Sequence, residues 1–331
     1  SGKSKNPKDN FTYSQVFGKT MVKLGKDNEE IVGITAAMPK GTGLNIFENE
    51  FPDRSFDVGI AEQHAVTLGA GLARGGKRPV VALYSTFLQR AYDQVIHDVC
   101  IQNLPVSIAI DRAGIVGNDG ETHQGAFDYS FLRTVPNMVV MAPKDENELQ
   151  HMLKTSVNHS GPTALRYPRG EGIGVELDEK IEELEIGKGE VLREGEDILL
   201  LAVGSMVYPS LKAAESLVKK GISATVINAR FVKPLDEKLI EEYIRKTNAV
   251  ITIEEQALKG GFGSAILELI SDKKIENVKI KRIGLPDHFI LHGGQQKMRS
   301  KYNLDEEGIV REVSNFLNNR PEVRVWPKKN V

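Results

Sequence analysis

Short apolar runs alternate with stretches of helical periodicity along most of the sequence, a pattern that predicts an α/β architecture with mainly parallel strands. In the first half, strands are expected over residues 31–35, 79–84, 106–111, 138–142 and 163–166, with amphipathic helices over 13–24, 62–74, 86–103 and 145–157. The last of these opens on Pro143-Lys144-Asp145-Glu146, with proline and acids where a helix N-terminus favours them. The pattern lapses over 171–188, which is rich in Glu, Gly and Lys and reads as an interdomain linker. A second series follows, with strands expected over 198–203, 224–228, 249–254 and 278–282 and helices over 208–220, 236–246, 261–271 and 305–318. The expectation is two doubly wound α/β domains of mainly parallel sheet, spanning 1–170 and 189–331.

Composition narrows the function classes. The 331 residues are 40% hydrophobic and 27% charged, the balance of a globular protein with room for two cores. With 43 basic and 45 acidic residues the net charge is -2, which makes no electrostatic case for nucleic acid or an anionic membrane as partner. Cys100 is the sole cysteine and falls in an apolar helix, so it reads as packing, and the absence of disulfides fits a reducing cytoplasm. No apolar run approaches a membrane span. Residues 1–8 read as a solvated tail, and a chain that begins this way is expected to be the remainder of something longer.

Four segments carry candidate chemistry, each following an expected strand, where open α/β sheets bind ligands. In Phe56-Asp57-Val58-Gly59-Ile60-Ala61-Glu62 a glycine turns the chain and a carboxylate enters the first turn of a helix; taken alone, Glu62 reads as a helix-dipole acid. Tyr84-Ser85-Thr86-Phe87-Leu88-Gln89-Arg90 offers a ring, hydroxyls and a guanidinium, although singly Phe87 reads as core and Arg90 as a surface cation. The segment from Asp111 to Gly125 packs four glycines among Arg112, Asp119, Glu121 and His123, and an imidazole there can move protons near neutral pH. In Arg166-Tyr167-Pro168-Arg169-Gly170, two guanidinium groups flank a rigid Tyr-Pro step and can be aimed at a carboxylate or phosphate.

Together and in this order, the four segments resemble the transketolase-like thiamine diphosphate enzymes, and 84–94, 110–127 and 166–170 resemble the deoxyxylulose-phosphate synthases in particular. The second half resembles the family's carboxy-terminal domain through Ile253-Glu254-Glu255-Gln256, Gly260-Gly261-Phe262-Gly263 and 284–293. The resemblance implies that Glu62 hydrogen-bonds the pyrimidine nitrogen of thiamine diphosphate, that Phe87 stacks on that ring, and that Ile60 lies against the cofactor. It implies that Arg90 and Arg169 hold the phosphate of glyceraldehyde 3-phosphate, and that Tyr84, Arg112, Asp119 and His123 line the channel, with His123 in proton transfer. The implied reaction condenses pyruvate with that aldehyde to give 1-deoxyxylulose 5-phosphate and carbon dioxide, a step toward isoprenoids, thiamine and pyridoxal, in a cytoplasmic homodimer.

One departure bears on activity. The family holds the cofactor diphosphate through Mg²⁺ at a Gly-Asp-Gly motif and a downstream Asn on an amino-terminal domain, and no Gly-Asp-Gly occurs here. The chain alone is therefore expected to be inactive, with the missing domain supplied in cis or in trans. The alternatives are a subunit of a split transketolase or 2-oxo acid dehydrogenase, and a non-catalytic half that binds a partner. His288 and His292 are spaced as helix metal ligands, but the Phe-Ile-Leu between them and the absence of further ligands weigh against a metal. The glycines at 260, 261 and 263 read as packing or a helix start rather than a nucleotide loop.

Overall fold

Residues 11–318 are described by a computed structural model of the chain, so the solvated tail expected at residues 1–8 lies outside the described residues. In chain order the strands are β1 (Ile31–Thr35), β2 (Ser55–Asp57), β3 (Arg78–Tyr84), β4 (Ser107–Ala113), β5 (Val139–Met141) and β6 (Thr163–Pro168). They continue as β7 (Glu190–Arg193), β8 (Ile198–Ala202), β9 (Ala224–Asn228), β10 (Phe231–Lys233), β11 (Ala249–Ala257) and β12 (Lys279–Leu285). A seven-stranded sheet runs β10-β5-β6-β4-β3-β1-β2, and a five-stranded sheet runs β12-β11-β8-β9-β7. All pairs are parallel except β10 with β5 and β7 with β9. This is the α/β, mainly parallel architecture that the alternating pattern predicts.

Side-chain alternation explains the layering. In β3, Val81 and Leu83 face a core shared with the second sheet, while Val80 and Ala82 face the outer helices. In β8, Leu199 and Leu201 join the shared core, while Ile198, Leu200 and Ala202 face a core of their own. Strands buried on both faces read as unbroken apolar runs, which is why these were the easiest elements to place. The helix Glu62–Arg74 buries Ala65, Val66, Gly69, Ala70 and Ala73 on one stripe. The helix Glu146–Asn158 is capped by Asp145, whose side chain accepts from the Glu148 amide. Among the described residues, no helix is long and apolar enough to cross a membrane.

Three findings differ from the sequence reading. The helix expected over 86–103 is instead a series of short turns: α-helical at Ser85–Leu88, 3₁₀ at Gln89–Ala91, α-helical at Tyr92–Gln94 and π-helical at Val95–Cys100. Leu88, Ala91, Val95 and Val99 are nonetheless buried, so apolar spacing recorded the face but not the hydrogen-bond pattern. Strand β10 belongs to the first sheet although it follows the second series in sequence, pairing antiparallel with β5. Residues 171–188 contain no helix or strand, yet they lie along the Glu146 helix. The Glu146 carboxylate accepts from the Ile173, Gly174 and Val175 amides, His151 contacts Asp178 and Glu182, and Ile181 is buried.

Candidate active site

The four candidate segments follow the carboxyl ends of β2, β3, β4 and β6, which lie close together in the first sheet. Tyr84 closes β3, and its ring stacks on Phe87 with centroids 5.6 Å apart. His123 meets the Phe87 ring edge-on at 5.4 Å. The Arg112 guanidinium lies 3.8 Å above the Tyr84 ring and donates to the Gly41 carbonyl at 2.8 Å. A Cβ at Gly41 would fall 1.7 Å from the Tyr84 hydroxyl, so only glycine fits beneath that phenol. Burial pushes the phenol's pKa up, with Arg112 opposing.

Arg112 adopts φ 58, a left-handed conformation unusual for a long side chain. Its amide donates to Asp111 Oδ1 at 2.6 Å, and Asp111 Oδ2 accepts from the Ser14 hydroxyl at 2.6 Å. Asp111 is fully buried, and burial pushes it up to about 6 against the pull of Ser14 and Arg112. Arg169 pairs with Asp119 at 2.5 Å and donates to the Val116 carbonyl. Beside these guanidinium groups lies a cleft of 580 Å³ lined by Ser14, Lys40, Gly41, Asn45, Arg112 and Arg169. The three cations Lys40, Arg112 and Arg169 make it suited to a small anion. Thr86 donates to the Thr122 carbonyl, and the Thr122 hydroxyl lies 2.8 Å from His123 Nδ1, which fixes the imidazole.

Tyr84, Phe87, Arg112, Asp119, His123 and Arg169 thus gather in one cluster. Glu62 stands at the first position of its helix, 5% exposed, and its carboxylate makes no hydrogen bond to another side chain or amide among the described residues. Its burial is that of the stem, since its carboxylate oxygens are not among the buried atoms left without a partner. A carboxylate left without a protein partner is free to share a proton with a ring nitrogen of a bound ligand. Ile60 is 88% exposed and Arg90 is exposed, and neither touches the cluster. Arg166 is internal: it donates to Asp128, to the Gly125 and Glu255 carbonyls and to Gln256, and it packs over Tyr129. The glycines at 260–263 start a helix whose Phe262 and Gly263 amides donate to buried Glu254. Cys100 is buried packing, with its thiol pushed up to about 12 by burial.

Sequence reasoning missed Gly41, Ser14 and Asp111 as supports of Arg112. Signals for two of them were present: a glycine pair in Pro39-Lys40-Gly41-Thr42-Gly43, and an acid closing the apolar run of β4.

Residues 9–173 match the transketolase pyrimidine-binding domain, and residues 187–309 match the transketolase C-terminal domain. A solved structure of a split-gene transketolase, described as an inactive β4 tetramer, superposes with a TM-score of 0.84 at 33% identity, covering 93% of this chain and 99% of that one. The chain belongs to the transketolase family. Within that family it is 62% identical to the 1-deoxy-D-xylulose-5-phosphate synthase of Halothermothrix orenii over 100% of this chain, and 59% identical to synthase 1 of Geobacter sulfurreducens over 92%. It spans about half the length of these relatives, 52% and 48% respectively. Transketolase from Campylobacter jejuni shares the fold, with a TM-score of 0.75 at 20% identity.

Proposed function

We propose that this chain is the pyrimidine-binding and carboxy-terminal part of a 1-deoxy-D-xylulose-5-phosphate synthase, a transferase that condenses pyruvate with glyceraldehyde 3-phosphate and releases carbon dioxide. The observation that carries the reading is the alignment of this chain from end to end with a synthase of that name, in which Glu62 opens a helix with no side-chain or amide partner for its carboxylate among the described residues. Thiamine diphosphate, when bound, supplies the electron sink for decarboxylation and carbon–carbon bond formation. Glu62 shares a proton with the pyrimidine nitrogen, and Phe87 and Ile60 bracket that ring. Arg112 and Arg169, with Arg90 reaching in from the surface, hold the acceptor phosphate. Tyr84 and Asp119 hold those guanidinium groups in place, and His123 moves a proton at the acceptor carbonyl oxygen.

Mg²⁺ and the cofactor diphosphate belong to an amino-terminal domain, joined in cis or supplied in trans, in a cytoplasmic homodimer. Exposed Phe56, Ile60, Phe127 and Phe289 suit burial against such partners. The likeness to a split-gene transketolase favours the arrangement in trans as a second reading. The test is product formation from pyruvate and glyceraldehyde 3-phosphate with thiamine diphosphate and Mg²⁺, using the chain alone and the chain completed by a diphosphate-binding domain. Deoxyxylulose 5-phosphate formed only by the completed enzyme, and lost in Glu62→Gln, supports the reading. Absence of product from a folded, completed enzyme overturns it.

A further inference from the structure

The segment from Gly114 to Gly125, which carries Asp119 and His123, is closed at its neck by reciprocal 2.8 Å hydrogen bonds between the two glycines. A Cβ on Gly125 would meet the Arg112 carbonyl at 2.4 Å, so the neck can be no wider. Its feet reach beyond the first sheet. Ile115 and Ala126 are buried in the core formed by β8, β9 and β11 of the second sheet. The Ala126 carbonyl accepts from the Ala257 amide at the end of β11.

The Ile115 peptide groups are held from two sides. Its amide donates to Glu255 Oε1 at 3.1 Å, and its carbonyl accepts from Gln295 Nε2 at 2.7 Å. The same Gln295 nitrogen also donates to the Arg169 carbonyl at 3.3 Å. Gln295 opens the helix Gln295–Lys301, and one turn later Arg299 forms a two-pronged ion pair with Glu255 at 2.8 and 2.9 Å. Ahead of that helix, the Gly293 amide donates to the Gly117 carbonyl, and Gln124 donates to the Leu291 carbonyl. One side chain of the second half therefore bridges the two strand-end segments that bring Asp119 and Arg169 face to face.

We propose that Gln295 is a positioning residue: by joining Ile115 to Arg169 it sets the spacing of the anion-binding groups, and with it the affinity for the phosphorylated acceptor. The second half of the chain is then part of the acceptor site without contributing a group that touches substrate. The affinity part of this proposal rests on the functional reading above; the bridging part does not.

Gln295→Met keeps the side-chain volume and removes both donors. In the 331-residue chain, amides of residues 116–123 are expected to exchange about tenfold faster, with β4 unchanged. In the completed enzyme the KM for glyceraldehyde 3-phosphate is expected to rise about tenfold, while kcat, the KM for pyruvate and the unfolding midpoint hold. Gln295→Glu, which keeps the shape and sets a carboxylate against two carbonyls, should do the same or more, and Gln296→Met on the exposed neighbouring position should do nothing. Unchanged loop exchange in both Gln295 variants overturns the bridge. Faster exchange with an unmoved acceptor KM, or a fall in kcat alone, overturns its role in affinity. Failure of the unaltered completed enzyme to turn over this substrate pair sinks the functional reading instead, and the exchange result still decides the bridge.

Discussion

The two sheets place polar groups at corresponding carboxyl ends, but treat them differently. In the second sheet, Glu254 accepts two amides at the start of the helix Phe262–Asp272, and Glu255 satisfies Arg299, Ser205 and the Ile115 amide. Asn228 donates to Glu148. In the first sheet, Glu62 is 5% exposed and has no such partner, and Arg112 and Arg169 border an open cleft. Topology alone does not mark a site, since both sheets offer the same edge. What separates them is whether the carboxylates at those ends are held within the fold: Glu254 and Glu255 are and Glu62 is not, although Gln256 Nε2 at the end of β11 is also buried without a partner.

This contrast can be broken by exchanging the readouts. Glu62→Gln in the completed enzyme should lower kcat by about 10²- to 10⁴-fold, with an unfolding midpoint at or above that of the unaltered chain. A clear loss of stability would mean that the Glu62 carboxylate is structural after all. Glu255→Ala should do the reverse at the level of the chain. It strands Arg299 partly buried beside a cavity and costs about 3–5 kcal/mol in denaturant unfolding. A fully stable Glu255→Ala variant would erase the distinction between the sheets.

A smaller effect is a pH slope in stability. Burial raises Glu254 to about 7 in the folded chain, against an ordinary value of 4.5. A carboxyl that holds its proton more tightly when folded contributes stability that is present below about pH 4.5 and lost as pH rises through about 7, by roughly 3 kcal/mol at most. Asp111, raised to about 6, adds a loss of the same sign over a lower window. Glu255 acts oppositely: against burial, Arg299 and Ser205 hold it below the usual carboxylate range. Urea unfolding between pH 5 and 8 should therefore show a negative slope that flattens in Glu254→Gln. An equal slope in that variant would assign the dependence elsewhere. Smallest of all, Asp145→Ala should cost about 1 kcal/mol by uncapping the Glu146 helix, without changing substrate KM values.

The legible parts of the fold were those with a repeating signal. The helix at Glu62–Arg74 and the strands at Ile31–Thr35 and Ala224–Asn228 follow the apolar pattern residue for residue. Strands β2, β7 and β10, each of three or four residues, are too short for periodicity to register, and all three bear charge. The candidate cluster was readable because its residues sit in three short strand-end segments. Its supports were not readable, because Ser14 and Asp111 are 97 positions apart and Gln295 and Ile115 are 180 apart. Only folding brings such pairs together. Arg90 shows the opposite limit: the motif singles it out, and the structure leaves it exposed.

The antiparallel pairing of β10 with β5 bears on where this polypeptide can be divided. A break anywhere within 171–188 severs the backbone but leaves Phe231–Lys233 stitched into the opposite sheet. The two pieces should then elute together after a single proteolytic nick. A recombinant fragment ending at residue 170 would present the bare flank of β5 to solvent, an invitation to self-association. A cut after Lys233 is no remedy, because it would part β8 from β11 in the second sheet, so the molecule is best kept whole.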